Sequence, residues 1–257
     1  MIGRTRSLAL ALISLFVVAA LACGKTQHHP ADTAKPAEPA APVVDVSKQM
    51  HENLARVTIM HQAVLRGDLE AAVEPARWIA DNQPTAGLPA GTETVLANMK
   101  KQAAVVAEAR DFKNAAIATA MVVSYCGTCH TAAKYTPVIT EPAKPLAEGP
   151  LATHMVEHQW ATDLLHQGLV IPSEERWQKG LAAMSAAPLS ERDLPKDSKL
   201  TKEVAALEKR VHEMAAKAKT ATDLGTKVAF YGDYIGGCAG CHELNGKVWG
   251  PGLPKTK

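Results

Sequence analysis

The chain has 257 residues, of which 28 are Lys or Arg and 26 are Asp or Glu. This length suffices for one or two domains with hydrophobic cores of their own. Arg4 and Arg6 are the only charged residues before Cys23, and without them the basic and acidic residues are equal in number. The chain therefore lacks the excess positive charge typical of nucleic-acid-binding proteins, and we expect no nucleic-acid partner.

The first 22 residues have the layout of a secretory signal peptide. Arg4 and Arg6 precede an uncharged, mainly apolar run from Leu8 to Leu21, and small residues stand before Cys23. The run is shorter than the roughly 20 apolar residues that a membrane-spanning helix needs. We therefore expect residues 1–22 to be removed and the protein to be exported to the periplasm.

Two cleavage patterns fit the residues around Cys23. The sequence from Ala20 to Cys23 resembles a bacterial lipobox, in which Cys23 would be lipidated, and it also fits an A-x-A site of ordinary signal peptidase. We favour the lipoprotein because Cys23 would otherwise be an unpaired thiol in an exported protein. A lipid on Cys23 would associate the protein with a membrane, and Gly24 after the cysteine favours the outer membrane.

The remaining chain is predicted to be all-α after a Pro- and Ala-rich tether at residues 23–46. Apolar residues recur beyond the tether at helical spacing and not at the alternating spacing of strands. Loops that contain Pro or Gly separate the apolar segments. The predicted helices are 47–66, 68–82, 92–110, 111–125, 151–168, 173–186, 200–218 and 222–237.

The second half of the chain repeats the plan of the first. Met50 precedes His61 by the same eleven residues that separate Met155 from His166. This spacing and the order of the helices predict two tandem four-helix bundle-like units. The predicted segments are a first unit at 47–130, a linker at 131–149, a second unit at 150–242 and a tail at 243–257.

Each predicted unit ends in C-x-x-C-H, the attachment sequence of c-type haem. The first motif reads CGTCH at 126–130 and the second reads CAGCH at 238–242. Two thiols of such a motif bind one porphyrin covalently, and the adjacent histidine is the proximal ligand of its iron. A zinc site, a thioredoxin-like motif and disulfides explain the two histidines less well. We therefore predict two covalent haem c groups, held by Cys126, Cys129, Cys238 and Cys241, with His130 and His242 as proximal ligands.

A four-helix bundle whose last helix ends in C-x-x-C-H resembles the cytochrome c prime class. In that class the haem lies between the helices at one end of the bundle, and members with six-coordinate iron use a methionine of the first helix. The resemblance implies Met50 and Met155 as distal iron ligands, although a methionine on an apolar face is often core packing. The tail after His242 contains neither Met nor His, so that any distal ligand comes from upstream.

Several histidines compete with the methionines or lie near them. The candidates for a distal ligand are His51, His154 and His158. His61 and His166 lie about 16 Å along the helix from Met50 and Met155, so we expect them to be core residues or polar residues between helices. His212 stands among Lys and Glu residues and is expected to be solvated.

These features together predict an exported diheme cytochrome that carries single electrons between redox partner proteins and is not an enzyme. Two other functions stay open. A haem protein with five-coordinate iron would bind or sense small gases, and a diheme peroxidase would reduce peroxide. We rank the peroxidase last because such enzymes are larger and have most of their chain after the first haem motif.

Overall fold

The computed structural model describes residues 45–83, 87–193 and 201–244. The predicted signal peptide, Cys23, the tether up to residue 44 and the tail from residue 245 lie outside the described residues. Within the described ranges the chain forms α-helices and one short 3-10 turn without strands, which confirms the all-α class. The helices are α1 Val46–Leu65, α2 Leu69–Asp81, α3 Glu93–Glu108, α4 Phe112–Ala132, α5 Pro150–Val170, α6 Glu174–Met184, α7 Thr201–Ala218 and α8 Leu224–Leu244.

Short-range side-chain contacts define where several of these helices begin. The carboxylates of Asp45, Asp68 and Asp111 accept hydrogen bonds from backbone N–H groups in the first turns of α1, α2 and α4. Ser173 and Asp223 do the same at α6 and α8. These caps satisfy N–H groups that have no partner within the helix, so the sequence encodes the helix starts locally.

The predicted helices match the observed ones to within a few residues at most ends. The main differences are at α4 and α8, which continue through the C-x-x-C-H motifs to Ala132 and Leu244. Each motif is therefore helical, and its two cysteines lie three residues apart on one helix face. None of the helices in the described ranges is long and apolar enough to cross a membrane.

Consecutive helices of each half pack against one another, and the halves meet through α4 and α8. Contacts between α4 and α5 and between α1 and α8 extend this interface. A glycine permits the close approach of α8 to α4, because a Cβ at Gly232 would lie 3.1 Å from the Cα of Ile117. All eight helices belong to one compact unit and share one hydrophobic core. The division into two haem-binding units stays a prediction.

His61 and His166, which occupy equivalent positions in the two halves, stack on each other in this core. Both are buried, their ring centroids are 4.9 Å apart, and the Tyr231 hydroxyl lies 2.7 Å from Nε2 of His61. The expectation that they are core residues is confirmed. Burial and the neighbouring His166 lower the pKa of His61 well below its usual value, and burial lowers the pKa of His166 to about 4.

Candidate functional site

A cavity of about 460 Å³ lies beside the second C-x-x-C-H motif. Cys238, Cys241 and His242 line it, and Met155 of α5 lines it as well. Most of its remaining lining is apolar and includes Val156, Leu207 and Val211. Pockets for cofactors in proteins are of this size and are mainly apolar. The structure thus brings Met155 and the second motif together around one space, and ligation of iron by Met155 stays a prediction.

The first motif contacts the C-terminal end of α5. Nδ1 of His130 lies 2.8 Å from the carbonyl oxygen of Val170. A carbonyl oxygen only accepts, so Nδ1 carries the hydrogen and Nε2 of the neutral ring keeps its lone pair. This arrangement is typical of histidines that bind a metal through Nε2.

The second motif contacts the equivalent part of α1. Leu65 follows His61 by four residues, as Val170 follows His166, and its backbone lies beside His242. Burial lowers the pKa of His242, and the nearby backbone of Leu65 offsets part of that effect. Nδ1 of His242 is buried and makes no hydrogen bond of standard geometry within the described residues. Each motif thus contacts the C-terminal end of the first helix of the opposite half.

The cysteines of both motifs lie in an apolar environment. Burial raises the pKa of Cys126 to about 12, and the neighbouring Cys129 adds to this rise. Burial likewise raises the pKa of Cys238 to about 12, although a hydrogen bond from Tyr234 acts in the opposite direction. Both sulfurs are therefore protonated thiols at neutral pH. Thioredoxin-like redox chemistry uses a thiolate of lowered pKa, so this environment does not favour that alternative.

Met50 and His51 lie at the start of α1. Gln49 donates a hydrogen bond to the carbonyl of Asn82, so this end of α1 packs against the end of α2. Met50 is half-buried and His51 is exposed. The first motif contacts Thr92 at the start of α3, Tyr135 in the segment after α4, and α5, and ligation by Met50 stays a prediction.

A cluster of three histidines and a glutamate adjoins the cavity at the second motif. We call it the histidine–glutamate cluster, and its members are His154 and His158 of α5 and Glu208 and His212 of α7. Glu208 Oε1 lies 2.5 Å from Nε2 of His154 and 2.9 Å from Nε2 of His212. Burial raises the pKa of Glu208, but hydrogen bonds from the two histidines outweigh it and hold that pKa well below the usual range.

The expectation that His212 is solvated is therefore wrong, because only 6% of its side chain is exposed. The charged neighbours in the sequence suggested a solvent-facing position. The buried face of α7 instead passes through Val204, Glu208, Val211, His212 and Ala215. Glu208 and His212 tolerate burial because they bond to each other, four residues apart on the helix.

Sequence reasoning also missed Glu208 as a residue of the site. The signal was the pair of i, i+4 spacings, His154 with His158 and Glu208 with His212, which place each pair on one helix face. Such spacing is common by chance, and only the side-chain contacts of His158 with His212 and of His154 with Glu208 show that the two pairs face each other.

We compared the chain with models of known protein families, with curated proteins and with solved structures, and none of the three comparisons finds a match.

Proposed function

We propose that this protein is an exported diheme c-type cytochrome that passes single electrons between redox partner proteins. The observation that carries the proposal is the cavity at the second motif, which Cys238, Cys241, His242 and Met155 all line. Thiols for covalent attachment, an imidazole and a thioether are the groups that hold a low-spin haem c with histidine and methionine as its axial ligands. Haem bound at each motif would supply a one-electron iron couple.

The residues of the chain would hold and shield this group. Cys238 and Cys241 would attach it, because helical spacing turns both sulfurs toward one side. At the first motif the hydrogen bond from His130 to Val170 would orient the imidazole and leave Nε2 for iron. Leu207 and Val211 would exclude water from the second site. Few polar groups would then have to reorient when the haem iron gains or loses an electron.

Haem stoichiometry tests the proposal directly. We expect protein made with a cytochrome c maturation system to carry two covalent haems by mass spectrometry. Cys126→Ala and Cys238→Ala should each weaken the attachment of one haem, because each removes one thioether. The control Cys23→Ser should retain both. Protein that folds stably with zinc and takes up no haem would refute the proposal.

The coordination of iron separates electron transfer from gas binding. We expect a low-spin oxidised spectrum with a sulfur-to-iron charge-transfer band. Met155→Leu removes the thioether at nearly constant volume, so it should abolish part of the band and make one haem high-spin. Met50→Leu should do the same at the other haem, while Met99→Leu in α3 is the matched control. A high-spin wild type would favour the five-coordinate gas-binding protein instead.

We also propose that Cys23 carries a lipid that anchors the protein at the periplasmic side of a membrane, in the outer membrane of a Gram-negative host. The support is the lipobox-like sequence and the Pro- and Ala-rich tether that follows it. Radiolabelled fatty acid should label the wild type and not Cys23→Ser. Recovery of a mature protein with unmodified Cys23 would show ordinary signal cleavage.

A further inference from the structure

The four side chains of the histidine–glutamate cluster converge on one point between α5 and α7. Their donor atoms, three imidazole nitrogens and one carboxylate oxygen, all lie within 4.8 Å of one another. Two pairs at i, i+4 spacing, one on α5 and one on α7, supply them, so helix geometry fixes the spacing within each pair.

The distances match those between the ligands of a small metal ion. Tetrahedral zinc with bonds of 2.0–2.1 Å separates its ligand atoms by about 3.3 Å. Here Nε2 of His158 lies 3.2 Å from Nε2 of His212, and Glu208 Oε1 lies 2.9 Å from the same nitrogen. Nε2 of His154 lies 2.5 Å from Glu208 Oε1, so this pair would have to separate by somewhat less than about 1 Å to reach the same spacing.

Hydrogen bonds alone satisfy this cluster poorly. Glu208 Oε1 already accepts a hydrogen bond from the Leu189 backbone at 3.0 Å, in addition to its contacts with His154 and His212. The single Nε2 hydrogen of His212 faces both Glu208 and His158, and it cannot point at both. One cation among the four donor atoms would engage all of them at once.

The donor set selects the class of metal. Imidazole and carboxylate ligands without thiolate suit zinc, copper(II), iron(II) and nickel(II). Only 11% of the His154 side chain and 7% of the Glu208 side chain are exposed, so the ion would be largely shielded from water. A second cavity of about 430 Å³, lined by His154 and by polar residues that include Ser190, Arg192 and Asp193, offers a route from solvent.

We propose that His154, His158, Glu208 and His212 bind one divalent transition-metal ion, with zinc as the principal candidate. None of these ligands belongs to a C-x-x-C-H motif, and His154 and His158, which the sequence left open as distal haem ligands, are assigned to this ion instead. The proposed metal site adjoins the second haem site, because His158 and Glu208 also line the cavity at the second motif. A cation there would place a fixed positive charge beside the second haem.

Zinc binding to the full-length haem-loaded protein tests the inference. The protein, made without a polyhistidine tag and treated with a chelator, is titrated with ZnCl₂ by calorimetry, and bound zinc is counted by mass spectrometry of the metal. We expect one equivalent per chain. Glu208→Gln and His154→Gln, which change different helices, should each weaken binding by more than about 100-fold. The control Glu213→Gln, exposed beside His212, should bind as the wild type does.

Helical circular dichroism of each variant checks that it is folded, and a zinc-dependent rise in melting temperature is the second readout. That rise should be present in the wild type and Glu213→Gln and absent in the two cluster variants. Equal zinc binding by the wild type and the cluster variants overturns the inference. So does zinc that is lost in Cys238→Ala but kept in Glu208→Gln, because the metal would then lie at the thiols and contradict the proposed function as well.

Discussion

His61 and His166 are held as neutral imidazoles in the core, where each ring stacks on the other and Tyr231 bonds to His61. A histidine with a lowered pKa takes up no proton in the folded state between that pKa and its ordinary value. The unfolded chain does take up the proton in this range. Acidification therefore stabilises the unfolded state, and folding stability falls as the pH decreases.

For His166 the affected range runs from about pH 6.5 down to about pH 4. Within it the free energy of unfolding should fall by about 1.4 kcal/mol per pH unit for each such histidine. His166→Leu should reduce the dependence of the free energy of unfolding on pH by about 1.4 kcal/mol per pH unit, whatever the substitution does to stability at neutral pH. Urea titrations at several pH values measure the slope, and exposed His51→Gln is the control. An unchanged slope in His166→Leu would show that His166 is protonated in the folded protein.

The contact between α4 and α5 depends on a missing side chain. A Cβ at Gly127 would lie 2.1 Å from the carbonyl oxygen of Leu169, a separation that a carbon atom cannot adopt. His130, three residues after Gly127, bonds to Val170 at the same C-terminal end of α5. The close approach of the two helices therefore positions the first motif.

Gly127→Ala should force α4 and α5 apart and destabilise the protein by about 1–3 kcal/mol. Gly240→Ala is the matched control, because it changes the corresponding helix and its Cβ meets nothing within 4 Å. Alanine is the better helix former, so this control should be neutral or slightly stabilising. Urea midpoints give both values. If Gly127→Ala were as stable as the control, α4 and α5 would not be in close contact at this point.

At the scale of the whole molecule, the two halves share one core. The faces of α4 and α8 that meet would be exposed in an isolated half, as would the equivalent histidines His61 and His166. Each motif would also lose its contact with the first helix of the opposite half. We therefore expect the two halves to depend on each other for folding, although the chain order suggests independent units.

We expect fragments 45–134 and 149–244 to unfold without cooperativity when studied alone. The intact chain should show a single urea transition by circular dichroism and by tryptophan fluorescence. Mixing the fragments should restore helical content, because their contact buries the shared core. Two fragments that each unfold cooperatively would show that the halves are separate domains.

The sequence alone predicted the helices and their starts, because apolar spacing and capping residues such as Asp68 and Ser173 act over a few positions. It also predicted that His61 and His166 lie in the core or between helices, since eleven residues of helix separate each from the methionine near the haem. The C-x-x-C-H motifs were readable for the same reason, because their chemistry depends on residues adjacent in the chain. The prediction that they attach haem has its test in the mass spectra described above.

The resemblance already implied that Met155 lies beside the second motif, but only the tertiary structure showed the cavity that both line and the bond between His212 and Glu208. These relations depend on which faces of α5, α7 and α8 meet. The local pattern of α7 could not decide them, because charged residues flank His212 on both sides while a partner on α5 makes its burial favourable. Local spacing determines where helices form, and the packing of their faces determines which distant residues share a site.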